Sequence, residues 1–375
     1  MTYDVIVAGL GAIGSAAAWQ MAGRGLKVLG LDRYRPPHAL GSSHGGSRVI
    51  RELAFEHPRY VPMARRGYEL WDELAAESGR GDLLIPTGAL YLGAPESSIV
   101  AGSRASAAAH DVPCEELSAA EVCRRWPAFR PDGMVGLFEN RAGVLWPEAC
   151  VETMLTAAAS RPGVELCFDE PMIAWGEEAD GAVWVLTTRQ TYRAERLVLA
   201  TGPWMAEVLS DIGVTVTVER VVQHWFAPAR DEHLLGPARF PVYLCEDSAG
   251  VICYGFPLLD GAMKAAVHHR GESTTADTVR REVGSEEVAQ TRDRLARYIP
   301  AAAGEHLRSE VCMYTNPTDG GFIIDQHPEH RNVLLASACS GIGFKFAPAV
   351  GEILADLATG ASPRFDLAPF RAQRL

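Results

Sequence analysis

The chain has 375 residues, 47% of them hydrophobic and 22% charged, with a formal net charge of −12. That length exceeds one typical core and predicts two domains, or one large α/β body with an insertion; the apolar fraction excludes a disordered chain. The acidic balance argues against nucleic acid as a partner, because phosphate binding needs net basic surface, but it leaves room for a small anion held by one or two local arginines.

In chain order, "YDVIVAGLGAIGSAAAWQMAGRGLKVLGLD" reads as strand, glycine turn, small-residue helix, glycine break and second strand, a βαβ unit. Gly9, Gly11 and Gly14 fit G-x-G-x-x-G between strand and helix, with Asp32 about 18 residues beyond the last glycine. Such glycines let backbone amides and a helix N-terminus meet a pyrophosphate, and the acid accepts hydrogen bonds from a ribose. A dinucleotide is therefore expected. The strand "RLVLATGPW" (196–204) ends in Ala200-Thr201-Gly202, and "RNVLLASACSGIGF" (331–344) ends in glycines before "APAVGEILADL". In that last segment Val350, Ile353, Leu354 and Leu357 have the spacing of an amphipathic helix. Residues 79–145 carry helix-like stretches such as "LSAAEVCRRWP", and 217–320 carry alternating strands such as "VERVVQHWFAPA" and "VICYGF". Alternating strands with few helices predict an antiparallel sheet.

The expected fold class is α/β. A Rossmann-like dinucleotide-binding domain is assembled from residues 1–78, 146–216 and 322–375. An α+β substrate domain with an antiparallel sheet takes 79–145 and 217–321. FAD is favoured over NAD because the glycine motif lies at the extreme N-terminus and Ala-Thr-Gly offers a second dinucleotide contact.

The eight cysteines (114, 123, 150, 167, 245, 253, 312 and 339) form no CxxC pair and no zinc-like spacing with histidine. Scattered cysteines fit a reducing cytoplasm, and no metal site is expected. Without a basic segment ahead of the first apolar run, no signal peptide is expected; no stretch has the length of a membrane span.

Three basic groupings have two readings each. "SSHGGSRVIRELAF" (42–55), with His44, Ser47, Arg48 and Arg51, is either a solvated loop or an anion site. "MKAAVHH" (263–269) sets Lys264 and His268 on one strand face across Ala266, either as exposed charge or beside a ligand. Lys345 in "SGIGFKF" is either an ordinary lysine near a helix start or an anion contact. Cys312, in "SEVCMYTNPTDGGFIIDQHP", is either a packed thiol or one bonded to something.

Taken together and in order, "PPHALGSSHGGSRVIR", "YVPMARRGYELWDEL", "CYGFP", "VCMYTNPTDGGFIID", "HPEH" and "SGIGFKF" make the chain resemble the monomeric sarcosine oxidase and N-methyltryptophan oxidase family of flavin-dependent amine oxidases. The resemblance spans essentially the whole chain. It implies FAD bonded covalently through Cys312 to the flavin 8α-methyl group, with Lys264 beside flavin N5 activating oxygen. Lys264, Arg48, His268 and Tyr254 form the implied catalytic set. Arg51 and Lys345 grip the substrate carboxylate, and Tyr314 lies near the substrate. Arg33, Ser43, His44, Ser47, Arg48, Met172, Gly341, Gly343 and Lys345 join Gly9, Gly11, Gly14, Asp32 and Cys312 as expected cofactor contacts.

The implied reaction oxidises a secondary amine bearing a carboxylate, an N-methyl or cyclic amino acid, to an imine, and gives hydrogen peroxide from molecular oxygen. A cytoplasmic monomer without nucleic-acid or membrane partners is expected. The sequence departs from the family's S-H-H-G-D-T-R at Ser42–Arg48 and from its S-G-H-G-F-K at Ile342. Ile342, with Trp146 and Trp225 as aromatic walls, predicts a substrate side chain larger than methyl. The alternatives are a biosynthetic flavin oxidase of a bulkier amine or imine acid, an NAD-dependent dehydrogenase, which has no use for Cys312 or Lys264, and a non-catalytic dinucleotide module.

Overall fold

The computed structural model describes residues 2–375. Its first sheet is built around five parallel strands in the order Glu165–Cys167, Val28–Leu31, Thr2–Ala8, Thr191–Leu199, Val333–Ser337. Ile323–Gln326 adds antiparallel to the last of these, and the hairpin Met172–Glu177/Val183–Thr187 adds to the first half of Thr191–Leu199. Where both faces are covered the parallel strands are buried throughout, as in Val28–Leu31 and Val333–Ser337. Val5 and Val7 face the core shared with helices Ala12–Gly23, Pro147–Ala159 and Ala347–Thr359, while Ile6 and Ala8 face a second core with Met205 and Leu209.

A second sheet of nine strands takes Ala89–Gly93, Glu115–Leu117 and Val135–Glu139 from one segment, and six strands between Val216 and Pro317 from another. Every pairing in it is antiparallel except Val242–Glu246 beside Ala89–Gly93. The helical texture expected of residues 79–145 is thus only half the story. "LSAAEVCRRWP" does contain a helix, Ala119–Arg125, opened by a Ser118/Glu121 capping box. Strands of three to five residues lie on both sides of it, too short to show a period of their own. A third, small sheet sets Arg48–Ile50 and Leu84–Pro86 on either side of Gly143–Leu145.

Two packing details place the future site. Helix Ala12–Gly23 meets helix Ala347–Thr359 so closely that a Cβ on Gly351 would stand 2.6 Å from the Ala16 backbone. Helix Val61–Ser78 holds the turn before Ala347–Thr359: Trp71 Nε1 donates to Lys345 O at 3.1 Å, and its ring stacks on Phe344. Among the described residues no helix is long and apolar enough to cross a membrane.

Gly351→Ala should destabilise the protein by about 1–3 kcal/mol through overpacking, although alanine brings about 1 kcal/mol of helix propensity. Urea unfolding measures it; an unchanged or raised midpoint would show that the helices can separate freely.

Candidate active site

One cavity of about 710 Å³ runs between the two large sheets. Its first end is the glycine turn after Thr2–Ala8. Gly9 has φ +87°, and a Cβ there would lie 2.5 Å from Ala200 O; one on Gly14 would lie 1.7 Å from Gly9 O. Only glycine permits this turn. Asp32, buried at the end of its strand, accepts from Leu10 N at 2.7 Å and Tyr34 N at 2.9 Å. Ser43 Oγ accepts from Ala12 N at 3.0 Å, tying the loop that follows to the helix start. Gly11, Asp32, Arg33, Ser43 and Met172 line this end; Arg33 donates to Asp277 at 3.1 Å and lies over Trp204. Ser42 Oγ, Thr201 Oγ1, Gln223 Oε1 and Ser337 Oγ are buried along the cavity without a protein partner. Buried polar groups are costly unless hydrogen-bonded, so this row of orphaned oxygens beside a glycine cradle fits the long polar body of FAD.

The other wall is one face of the second sheet. Side chains an even number of residues apart in a strand share a face, and Tyr254 and Phe256, Lys264 and His268, Cys312 and Tyr314 come in as such pairs from three strands. Strand Val216–Phe226 sets the register of the last two, with Val221 opposite Cys312 and Trp225 opposite Lys264, and Tyr254 lies opposite Ala266.

Cys312 is fully buried, yet its thiol is activated. Burial pushes it up, but His44 and the Arg48 guanidinium, 3.7 Å from Sγ, outweigh this and bring it down to about 7. Burial lowers His44 in turn, but Cys312 and Glu310, whose carboxylate lies 3.3 Å away, carry it up to about 9. A thiolate beside an imidazolium and a guanidinium is a nucleophile in waiting. Cys114, Cys150, Cys167, Cys245, Cys253 and Cys339 are instead pushed up by burial.

Lys264 lies deeper along the same face. Its Nζ donates to Gly45 O at 2.7 Å and Ser47 O at 2.8 Å, while burial and then Arg48 drive it well below its ordinary value. The loop that supplies those carbonyls is itself pinned by Glu148, which accepts from Gly45 N at 2.7 Å and Gly46 N at 3.1 Å. Both glycines have positive φ, so their amides form a nest for the carboxylate. No local pattern in the sequence marks Glu148, which opens a helix far from the loop.

At the far end stand two more cations. Arg51, 3% exposed, donates to Leu53 O and Glu56 Oε1 and lies over Phe55. Burial works against its charge, but Glu56 outweighs this and holds Arg51 above its ordinary value. Lys345 donates to Ile342 O at 2.9 Å; burial and Arg51 push it down. The Glu56 Oε2 atom is buried with no partner. His268 is pressed to about 3 by burial, then by His269 and Arg51, so it is neutral, and its Nδ1 lies 3.3 Å from Tyr314 OH. Burial likewise keeps Tyr254 and Tyr314 protonated. Gly341, Ile342 and Gly343 complete this wall.

Of the expected site residues, all but Gly14 and His44 line this cavity. Gly14 acts by close packing on Gly9, and His44 lies against the thiol. Trp146 and Trp225 are a correction: neither lines it. Both border a separate cavity of about 220 Å³ on the other side of Lys264, so they cannot wall in a substrate side chain as expected.

The comparisons agree with this geometry. The FAD dependent oxidoreductase family matches residues 4–357. A monomeric sarcosine oxidase of Streptomyces avermitilis is 43% identical, covering 100% of this chain and 98% of that protein. An N-methyl-L-tryptophan oxidase of Yersinia pestis is 34% identical over the whole of both chains. Among solved structures, NikD, described as an unusual amino acid oxidase essential for nikkomycin biosynthesis, superposes with a TM-score of 0.86, at 24% identity, over 99% of this chain and 97% of its own. A glycine cradle opening on a long polar cavity, matched over nearly the full length by the family, makes the chain a member of the FAD dependent oxidoreductases.

Proposed function

We propose that the protein is an oxidase of secondary amines that carry a carboxylate, N-methyl or cyclic amino acids, with its FAD bonded covalently to Cys312 and with imine and hydrogen peroxide as products. The observation that carries this reading is the activated thiol of Cys312, set in the cavity that begins at the dinucleotide turn and ends at Arg51 and Lys345. The whole-chain likeness to a sarcosine oxidase and an N-methyl-L-tryptophan oxidase supports it. The same reading makes the enzyme a cytoplasmic monomer.

FAD supplies the redox chemistry when bound: it takes a hydride equivalent from the amine and hands two electrons to dioxygen. The chain's own groups do the rest. Arg51 and Lys345 take the carboxylate and fix the amine end at the neutral wall of His268, Tyr254 and Tyr314. Because Glu56 already answers Arg51, the substrate carboxylate has to share or replace it. Lys264 is held by two carbonyls and no acid and is driven below its ordinary value by burial; it would take up positive charge as dioxygen becomes reduced, which is electrostatic catalysis. His44 and Arg48 favour the thiolate of Cys312, the nucleophile that would hold FAD through a thioether.

The flavin should stay with the protein after acid precipitation, leaving a yellow pellet, and Cys312→Ala should release it into the supernatant. Colour in the wild-type supernatant would rule out the tether while leaving the oxidase reading open.

A peroxide-coupled panel of sarcosine, other N-methyl amino acids and pipecolate, each beside its decarboxylated amine, tests the substrate class. The acids should react and the amines should react poorly. Each charge-assisted contact contributes about 1.5–3 kcal/mol, so Arg51→Met should raise KM for the acids by one to two orders of magnitude. Acids and amines reacting equally well would remove the carboxylate clamp.

A further inference from the structure

We infer that Glu139 is a positioning residue for carboxylate recognition: it holds the turn from Arg51 to Leu53 so that the Arg51 guanidinium keeps its place on the cavity wall. The inference rests on the carboxylate clamp proposed above. Glu139 ends strand Val135–Glu139 and is 1% exposed. Its Oε1 accepts from Glu52 N at 2.6 Å; its Oε2 accepts from Leu53 N at 3.1 Å and from Tyr91 OH at 2.9 Å. Leu53 therefore gives its N–H to Glu139 and its carbonyl to Arg51. Glu139 does not line the cavity; it acts through the turn.

The bonding has a direction. Tyr91 sits on strand Ala89–Gly93, beside the strand that carries Glu139, so the carboxylate is fixed from the second sheet and in turn fixes a loop that follows the small sheet. A carboxylate that accepts two consecutive amides leaves that stretch of backbone one arrangement, because a buried N–H without a partner costs about 1–3 kcal/mol. Arg51 also needs charge nearby. Glu56 reaches it directly, but Glu56 is the acid that a substrate carboxylate would displace, whereas Glu139 is spent on amides and stays. Burial raises the Glu139 carboxyl, while the Glu52 and Leu53 amides, Tyr91 and Arg51 favour its charged form; Glu139 thus remains beside Arg51 and Lys345 when Glu56 is drawn away.

A purely structural role, tying one sheet to another, is the competing view. The turn has independent anchors: the Glu52 side chain is held by Arg65 at 3.0 Å and by Arg141 at 2.5 Å. Losing the Glu139 charge should therefore leave the turn attached but loosen where Arg51 sits. Glutamine keeps the size of Glu139, but its amide nitrogen cannot accept, so one backbone N–H loses its partner and the charge is gone.

The test uses flavin-loaded wild type, Glu139→Gln and Tyr91→Phe. It compares the best acid substrate of the panel with its decarboxylated amine, and measures acetate binding by calorimetry. In Glu139→Gln, KM for the acid and Kd for acetate should rise about 10-fold or more, with kcat within about 3-fold and kcat/KM for the amine unchanged within the same factor. Tyr91→Phe should shift the acid-to-amine ratio in the same direction by a smaller factor, and it carries the test if the glutamine variant does not fold. Equal losses for acid and amine, an unchanged acetate affinity, or an unchanged ratio in Tyr91→Phe would overturn the inference. Wild type that fails to distinguish acid from amine overturns the clamp itself and this inference with it, and that result is read before any variant is made.

Discussion

Charge taken out of water has to be answered, and that requirement governs this structure. A buried ion costs several kcal/mol unless hydrogen bonds and opposite charge offset it. Cys312, His44, Lys264, Arg51 and Lys345 are all buried around one cavity. Lys264 is answered from a distant segment by Gly45 O and Ser47 O, and His44 by Glu310, while Lys345 and Arg51 are answered locally, by Ile342 O and by Leu53 O and Glu56. The long-range bonds of Lys264 and His44 tie the loop 42–47 to the second sheet.

The same requirement divides the cavity by chemistry. At the dinucleotide end the wall offers glycine backbone, Asp32 and hydroxyls without partners. Around Cys312 it offers cations that stabilise a thiolate. At the far end it offers cations matched to a carboxylate, next to side chains that burial keeps neutral. Carboxylates not aimed at any ligand set the stage: Glu148 shapes the turn whose carbonyls hold Lys264, and Glu139 shapes the turn after Arg51.

Much of this was legible in the sequence. The glycine turn is readable because its conformation is impossible for other residues, and the shared face of Lys264 and His268 because strand side chains alternate. Cys312, Arg48 and Arg51 were individually ambiguous and became informative only in company. The strands of residues 79–145 were hidden by their shortness. Glu56, Glu139 and Glu148 were hidden for another reason: their partners are backbone amides and a guanidinium set by the turns around them, and no spacing in the chain announces such bonds. Trp225 shows how far facing alone can mislead. It lies on the same strand as Gln223, which lines the main cavity, but two residues along a strand are about 6.6 Å, enough to carry it past Lys264 into the neighbouring cavity.

The central claim is that the surroundings of Cys312 bring its thiol down to about 7, so that much of it is thiolate at neutral pH and ready to hold the flavin. Protein made without flavin exposes that property directly, through the rate of iodoacetamide alkylation at Cys312 against pH, corrected with Cys312→Ala for the other cysteines. The rate should rise through a midpoint of about 7. A midpoint at the ordinary thiol value of 9.0 or above would contradict the account.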